Sequence, residues 1–213
     1  SRIRSHFEKH QRQHFCIMKK RIQGGNETKK DADYATIKQN LIVQDLMRFN
    51  IKAVLVDEYS DVTKILATID RRFRQRTVFI SGSAVDYGLW GQAATEEFVS
   101  KLAAALIDKN LRISNGFGLG IGTAVVKGAV QQIYSTKHRS IDEQLMLRPF
   151  PVGIDDIERR TQTYERYRTE LIAQAGIALF VMGNKTVDGR TVKADGVRAE
   201  FEIAKKHGLH LIP

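Results

Sequence analysis

The sequence predicts an α/β protein: a doubly wound parallel sheet flanked by helices, preceded by a partial α/β segment. Three observations predict it. Strand-like apolar runs alternate with helical patterns along most of the chain. The run Ile177-Ala-Leu-Phe-Val-Met182 is apolar throughout, as expected of a strand covered on both faces at the centre of a parallel sheet. Glycine-rich turns follow the strands and open the helices.

The elements follow in order. Residues 14–22 begin as a short strand, which Gly24-Gly25-Asn26 breaks. Ile37, Leu41, Ile42, Leu46 and Phe49 recur at helical spacing, and Asn50 ends that helix. Residues 51–56 are a β-branched strand, and Ser60 caps a helix carrying Val62, Ile65, Leu66 and Ile69. This helix–strand–helix reads as the closing part of an α/β unit. The cluster Arg71-Arg72-Phe73-Arg74-Gln75-Arg76 reads as a linker, which sets two expected domains, 1–75 and 76–213.

The second region opens with a buried strand at 77–80 and the turn Ser81-Gly82-Ser83. A helix is expected from about 95 to 109, a strand at 111–113, a glycine loop at 116–123 and a helix through Val130. Residues 134–148 are polar and read as loop, and 164–175 as helix. After the 177–182 strand, Gly183-Asn184-Lys185 starts a long polar loop. A helix at 196–207 and a strand at 209–212 complete the pattern.

Composition narrows the class. The chain has 213 residues, 42% of them hydrophobic, enough to build a core and to exclude wholesale disorder. A single cysteine, Cys16, excludes a disulfide framework and a cysteine-based zinc site. No apolar run reaches the roughly 18–20 residues of a membrane span, and the charged start lacks the apolar stretch of a signal peptide. The expected compartment is cytoplasmic. Without an initiator Met, and ending just after an apolar run, the chain reads as a fragment of a longer protein.

The net charge is +10, and it is uneven. Residues 1–76 hold 17 basic and 9 acidic side chains, whereas 77–213 hold 17 and 15. Such an excess can attract nucleic acid. Because the cations are scattered and no aromatic residues interleave with them, a solvated face or a surface against another part of the protein is the simpler reading. His6, His10 and His14 share i, i+4, i+8 spacing but have no carboxylate or thiolate in register, so no metal site is expected.

Three loops carry chemistry, since ligands of such sheets bind beyond the carboxyl ends of the strands. Ser81-Gly82-Ser83 offers two hydroxyls on a tight turn. Gly116-x-Gly118-Leu119-Gly120-x-Gly122-Thr123 opens a helix, where free N–H groups and the dipole favour a phosphate. Gly183-Asn184-Lys185 supplies a point charge for phosphate. The glycines also have a packing explanation, close strand–helix approach. Their spacing departs by one residue from the G-x-G-x-x-G fingerprint, and no acidic residue ends the next strand, so an ordinary NAD dehydrogenase is not expected. Arg168 can fork onto a phosphate, and Glu200 can accept hydrogen bonds from a ribose diol; both could equally belong to exposed helix salt bridges.

On these pieces, residues 78–212 resemble the SLOG superfamily of Rossmann-like domains, relatives of the lonely-guy phosphoribohydrolases. The matching pieces are Phe79-Ile-Ser-Gly-Ser83, the glycine loop 116–123, Arg168-x-Glu170 before the apolar strand, and Glu200 on the next helix. The lonely-guy Pro-Gly-Gly-x-Gly-Thr-x-x-Glu string is absent, which argues against hydrolysis and leaves nucleotide binding. The Gly183-Asn184-Lys185 variant, after a tail at 41–69 that resembles the end of a sirtuin-like NAD-cleaving domain, is similar to the SLOG module of Thoeris antiphage effectors.

That resemblance implies a regulatory, non-catalytic module in a homo-oligomeric parent. The module would bind a cyclic ADP-ribose isomer made by a TIR-domain partner and activate NAD+ hydrolysis by the sirtuin-like domain, whose Asn and His would lie upstream of Ser1. Arg168, Lys185 and Glu200 would hold the signal. Ser81, Gly82, Ser83, Asn184 and the loop residues Gly118, Leu119, Gly120, Gly122 and Thr123 would surround its phosphates. No metal or resident cofactor and no membrane partner are implied. Two alternatives stand beside it: a nucleoside monophosphate phosphoribohydrolase using Glu200 as acid/base, and a DNA-binding SLOG relative of the DprA type.

Overall fold

The computed structural model describes residues 14–21, 28–135, 139–151 and 153–213. The chain divides into two compact units, Ser1–Asp70 and Arg71–Pro213.

In the first unit, β1 (His14–Lys19) and β2 (Ile51–Val56) pair in parallel, with His14 opposite Ile51 and Lys19 opposite Val56. Parallel neighbours need a crossover, and α1 (Lys29–Arg48) supplies it. Thr28 caps α1, its Oγ1 accepting from the Asp31 amide, and Asn50 leaves the helix in the left-handed region at φ 57°. His14 lies in β1, so the helical histidine face does not reach it; His6, His10 and the Gly24–Asn26 break lie outside the described residues.

The arginine cluster corrects the expected linker. α2 runs from Ser60 to Gln75, and Arg72 and Arg74 occupy its last turn, where cations complement the negative end of the helix dipole.

The second unit contains a five-stranded, all-parallel sheet ordered β5-β4-β3-β6-β9. Its strands are β3 (Thr77–Ser83), β4 (Arg112–Asn115), β5 (Leu145–Leu147), β6 (Ile177–Met182) and β9 (His210–Ile212). The helices are α3 (Gly91–Asp108), α4 (Gly122–Tyr134), the single turn α5 (Ile141–Gln144), α6 (Ile157–Ile172) and α7 (Asp195–Lys206). The strand order reverses between β3 and β6, which makes the carboxyl ends of these two strands the crevice of the fold. The doubly wound, Rossmann-like expectation is met.

Alternation along β3 explains the two cores. Val78 and Ile80 point to one face, among Val99, Ala103 and Ile107 of α3 and Val125, Ala129 and Ile133 of α4. Phe79 points to the other, among Leu171 and Ile172 of α6, Ala178 of β6 and Ala204 of α7. Ser81 follows Phe79 by two residues and so faces α6 and α7 as well. Gly128 lets α3 and α4 approach closely, because a Cβ there would strike the Ser100 carbonyl oxygen.

Three sequence expectations change. Within the described residues the middle strand of the five is β3, and the more apolar β6 lies beside it, between β3 and β9. Residues 134–148 are not all loop: they hold α5 and β5, whose Leu145 pairs with Ile113. The stretch after Gly183 is a hairpin of β7 (Asn184–Val187) and β8 (Arg190–Lys193), turned by Asp188 at φ 49° and Gly189 at φ 75°. An Asp-Gly pair with two positive φ angles is the preferred two-residue hairpin turn.

Candidate functional site

The carboxyl ends of β3 and β6 open onto a cavity of about 210 Å³. β3 contributes Ile80, Ser81, Gly82 and Ser83, and the glycine loop contributes Gly116, Gly118 and Leu119. The far wall is Arg168 of α6, Lys185 of β7, and Gly196, Val197 and Glu200 of α7. Eight expected residues therefore surround one space: Ser81, Gly82, Ser83, Gly118, Leu119, Arg168, Lys185 and Glu200. Gly120, Gly122, Thr123 and Asn184 are not among its walls.

Glu200 is the buried charge of the site, 8% exposed. Its Oε2 accepts a 2.5 Å hydrogen bond from Ser81 Oγ, and its Oε1 stands 3.6 Å from Arg168 Nε. The second distance makes an ion pair but not a hydrogen bond. Burial pushes the Glu200 carboxyl above its ordinary value, and this outweighs the opposing pull of Ser81 and Arg168. Arg168 Nε is buried and has no hydrogen-bond partner among the described residues. It is a donor held at the cavity wall.

Arg168 is aimed by aromatic rings that the sequence reading did not assign to the site. Its guanidinium carbon lies 4.9 Å from the Phe150 ring centroid and 5.7 Å from that of Tyr164. Phe150 also meets Tyr164 edge-on at 5.1 Å and Tyr167 at 5.4 Å. The hydroxyls of Tyr164 and Tyr167 donate to the carbonyls of Pro151 and Pro149, pinning the loop that carries Phe150. The signal was an aromatic residue between two prolines, Pro149-Phe150-Pro151, at the end of β5.

Lys185 projects from β7 and pairs with Asp195 at 2.6 Å; the exposure of Asp195 leaves that pair weak and exchangeable. The adjacent Asn184 has a different task. Its Oδ1 accepts from the amides of Val85 and Asp86 at 2.9 and 3.0 Å, and its Nδ2 donates to the Asp86 carbonyl at 2.8 Å. Ser83 Oγ donates to the Asn184 carbonyl at 2.9 Å. Asn184 thus ties the β3 loop to the β7 hairpin. Met182 at φ 60° and Gly183 at φ 139° turn the chain into that position.

The glycine loop is shaped by close backbone approach. A Cβ on Gly118 would strike the Gly82 carbonyl oxygen, and one on Gly120, at φ 77°, would strike that of Ala84. The Ala84 amide donates to the Leu119 carbonyl at 2.9 Å, and Asn115 braces both strands, its Nδ2 donating to the Ile80 carbonyl at 2.7 Å. Packing therefore accounts for Gly118 and Gly120, while Gly118 also leaves its backbone bare at the cavity.

Residues 61–213 match the model of the Sir2- and TIR-associating SLOG family. Over its whole length the chain is 46% identical to the NAD(+) hydrolase ThsA of Acinetobacter baumannii, covering 45% of that protein. It is 38% identical to the NAD(+) hydrolase ThsA of Bacillus cereus, covering 44%, and 37% identical to that of Enterococcus faecium, covering 45%. The chain spans a little under half the length of these curated relatives.

Proposed function

The chain belongs to the Sir2- and TIR-associating SLOG family, and from that premise we propose that residues 76–213 sense a cyclic ADP-ribose isomer and thereby switch on NAD+ hydrolysis by a longer antiphage effector of the Thoeris type. The observation that carries the reading is the meeting of Arg168 and Glu200, 3.6 Å apart, on one wall of the cavity beside Ser81 and the glycine loop. A cation with an unpartnered N–H suits a phosphate, and a buried carboxylate suits a sugar diol.

The size of the cavity supports a divided pose. About 210 Å³ is below the roughly 300–1,000 Å³ of a typical ligand cleft, so it takes the ribose and adjoining phosphate. The base lies at the mouth, against Leu119, which is 67% exposed. Lys185 exchanges Asp195 for a phosphate oxygen. NAD+ is the substrate of the parent protein and not of this module; the nucleotide signal comes from a TIR-domain partner, and the parent works as a homo-oligomer in the cytoplasm. Among the described residues no helix is long and apolar enough to cross a membrane.

Binding can activate only through different affinity for two states of the parent. NAD+ hydrolysis by the full-length protein tests this. The isomer that activates the wild type should fail, at the same concentration, to activate Arg168→Gln. Equal activation of both would refute the assignment.

A second reading rests on Glu200 itself. A carboxyl whose proton is held more tightly because of burial, next to a hydroxyl, is suited to general acid work on a glycosidic bond. A phosphoribohydrolase would release free adenine from AMP, which chromatography detects; intact AMP after long incubation with the folded chain removes this reading.

A further inference from the structure

A second cavity of about 430 Å³ lies at the opposite, amino ends of β3 and β4. Its walls include Arg76, Arg112, Arg139 and Gln144. Three buried side-chain polar atoms of this one wall lack a hydrogen-bond partner among the described residues: Arg112 Nε, Arg139 Nη1 and Gln144 Oε1. Buried polar atoms are ordinarily satisfied, so such a concentration around one space calls for partners there.

The donor set defines the chemistry. Two guanidinium N–H groups call for a forked anion. The Gln144 carbonyl oxygen calls for a donor beside that anion. The arginines are held in place by other contacts. Arg112 lies with its guanidinium carbon 4.9 Å from the Phe73 ring centroid. Arg139 Nη2 donates to the Asp108 carbonyl at 3.0 Å and lies 3.5 Å from the Asp108 carboxylate oxygen Oδ1, a pair at an exposed carboxylate, and this leaves Nη1 for a ligand. Arg76 Nη2 donates to the Asn110 carbonyl at 2.9 Å at the rim. Burial depresses the proton affinity of Arg112, with Arg148 adding to the effect, so an anion would relieve a real electrostatic cost. Asp142 and Glu143 also line the rim, which disfavours a bulky polyanion and selects a small ligand able to reach the buried donors.

We propose that this cavity is a second ligand site, distinct from the one at the carboxyl ends of the strands, and that it binds a small anion with an adjacent hydroxyl, of the sugar phosphate or hydroxycarboxylate class. Arg112 and Arg139 grip the anion, and Gln144 accepts from the hydroxyl.

Calorimetric titration of the whole chain with ribose 5-phosphate, citrate and inorganic phosphate tests it. At least one of the first two should bind, and more tightly than inorganic phosphate, which has no neighbouring sugar or alcohol hydroxyl to offer Gln144. Binding of the sugar phosphate alone, of citrate alone or of both tells the two sources apart, and each supports the site. Ribose 5-phosphate can also enter the first cavity, so the titration is read in Arg168→Gln, where the second site remains; in that protein Arg139→Gln should weaken the binding at least tenfold, about 1.4 kcal/mol. Arg139→Lys, which keeps the charge without the fork, should show the same loss and serves if Arg139→Gln does not fold. No heat with any probe overturns the proposal. So does binding that Arg168→Gln abolishes, or that neither Arg139 variant weakens.

Discussion

Ser81 and Glu200 lie 119 residues apart in the chain, yet Ser81 Oγ donates to Glu200 Oε2 at 2.5 Å. The bond joins the end of β3 to α7, and it puts a hydroxyl on a carboxylate that burial makes reluctant to ionise. Its pH signature follows from linkage. Below the ordinary carboxyl value of 4.5 both folded and unfolded chains are protonated at this position, and it costs nothing. As pH rises, the unfolded chain loses its proton first, so stability falls until the pH passes the raised folded value, then levels off. Glu200→Gln should flatten that fall. Urea melts of both proteins across the range check it: the wild type should lose stability relative to the variant as pH rises.

On the proposed reading, the same carboxyl should couple nucleotide binding to protons. A ribose diol donates to the ionised form, so nucleotide binding should release a proton and tighten as pH rises toward the folded value of Glu200. Calorimetry in buffers of different ionisation enthalpy reads the proton count. Heats independent of buffer would mean that the sugar does not engage this carboxylate.

Asn184 predicts a structural effect in a residue that its position would assign to the ligand. Asn184→Ala removes three hydrogen bonds to Val85 and Asp86. The segment is exposed, so water recovers part of the loss, and the expected cost is about 1–2 kcal/mol in a denaturant melt. Nucleotide affinity should fall less than in Arg168→Gln.

Gly118→Ala sets a Cβ against the Gly82 carbonyl oxygen, with backbone on both sides and no flexible side chain to yield. The expected cost is about 2–3 kcal/mol, visible as a lower melting temperature. Gly153→Ala, where a Cβ meets nothing within 4 Å, separates this clash from a general cost of losing glycine, since its φ of 77° leaves only backbone strain.

Phe150 itself lines the cavity, and Phe150→Ala should act mainly through Arg168. Without the ring at 4.9 Å the guanidinium is free to swing, and nucleotide affinity should drop about five- to tenfold, a cation–π contribution of roughly 1 kcal/mol. Phe150→Tyr should restore most of it, whereas a packing role alone would leave affinity unchanged in both variants.

The sheet was legible where chemistry is local. The unbroken apolar run at 177–182, the buried strand at 77–80, the helix start at Ser60 and the glycine loop all announced themselves through composition and turn residues. Ser81 was legible as a strand end, where ligands of parallel sheets bind, whereas Arg168 and Glu200 lie on helices and stood apart from ordinary salt bridges only through the family resemblance. What was missed depends on partners. Leu145–Leu147 is too short to show a period, and becomes a strand only because β4 offers it an edge. The Asp188-Gly189 turn was readable, but the polar residues around it masked a hairpin. The contacts of Phe150 with Arg168 and of Arg112 with Phe73 join residues distant in the chain and show only in the fold.

The most direct measurement is a titration of this chain with cyclic ADP-ribose isomers, in the wild type and in Glu200→Gln. The account predicts saturable binding of at least one isomer by the wild type, weakened tenfold or more in the variant, whose melt shows it folded. Equal affinity in the two proteins, or no binding of any isomer by the folded wild type, would contradict it.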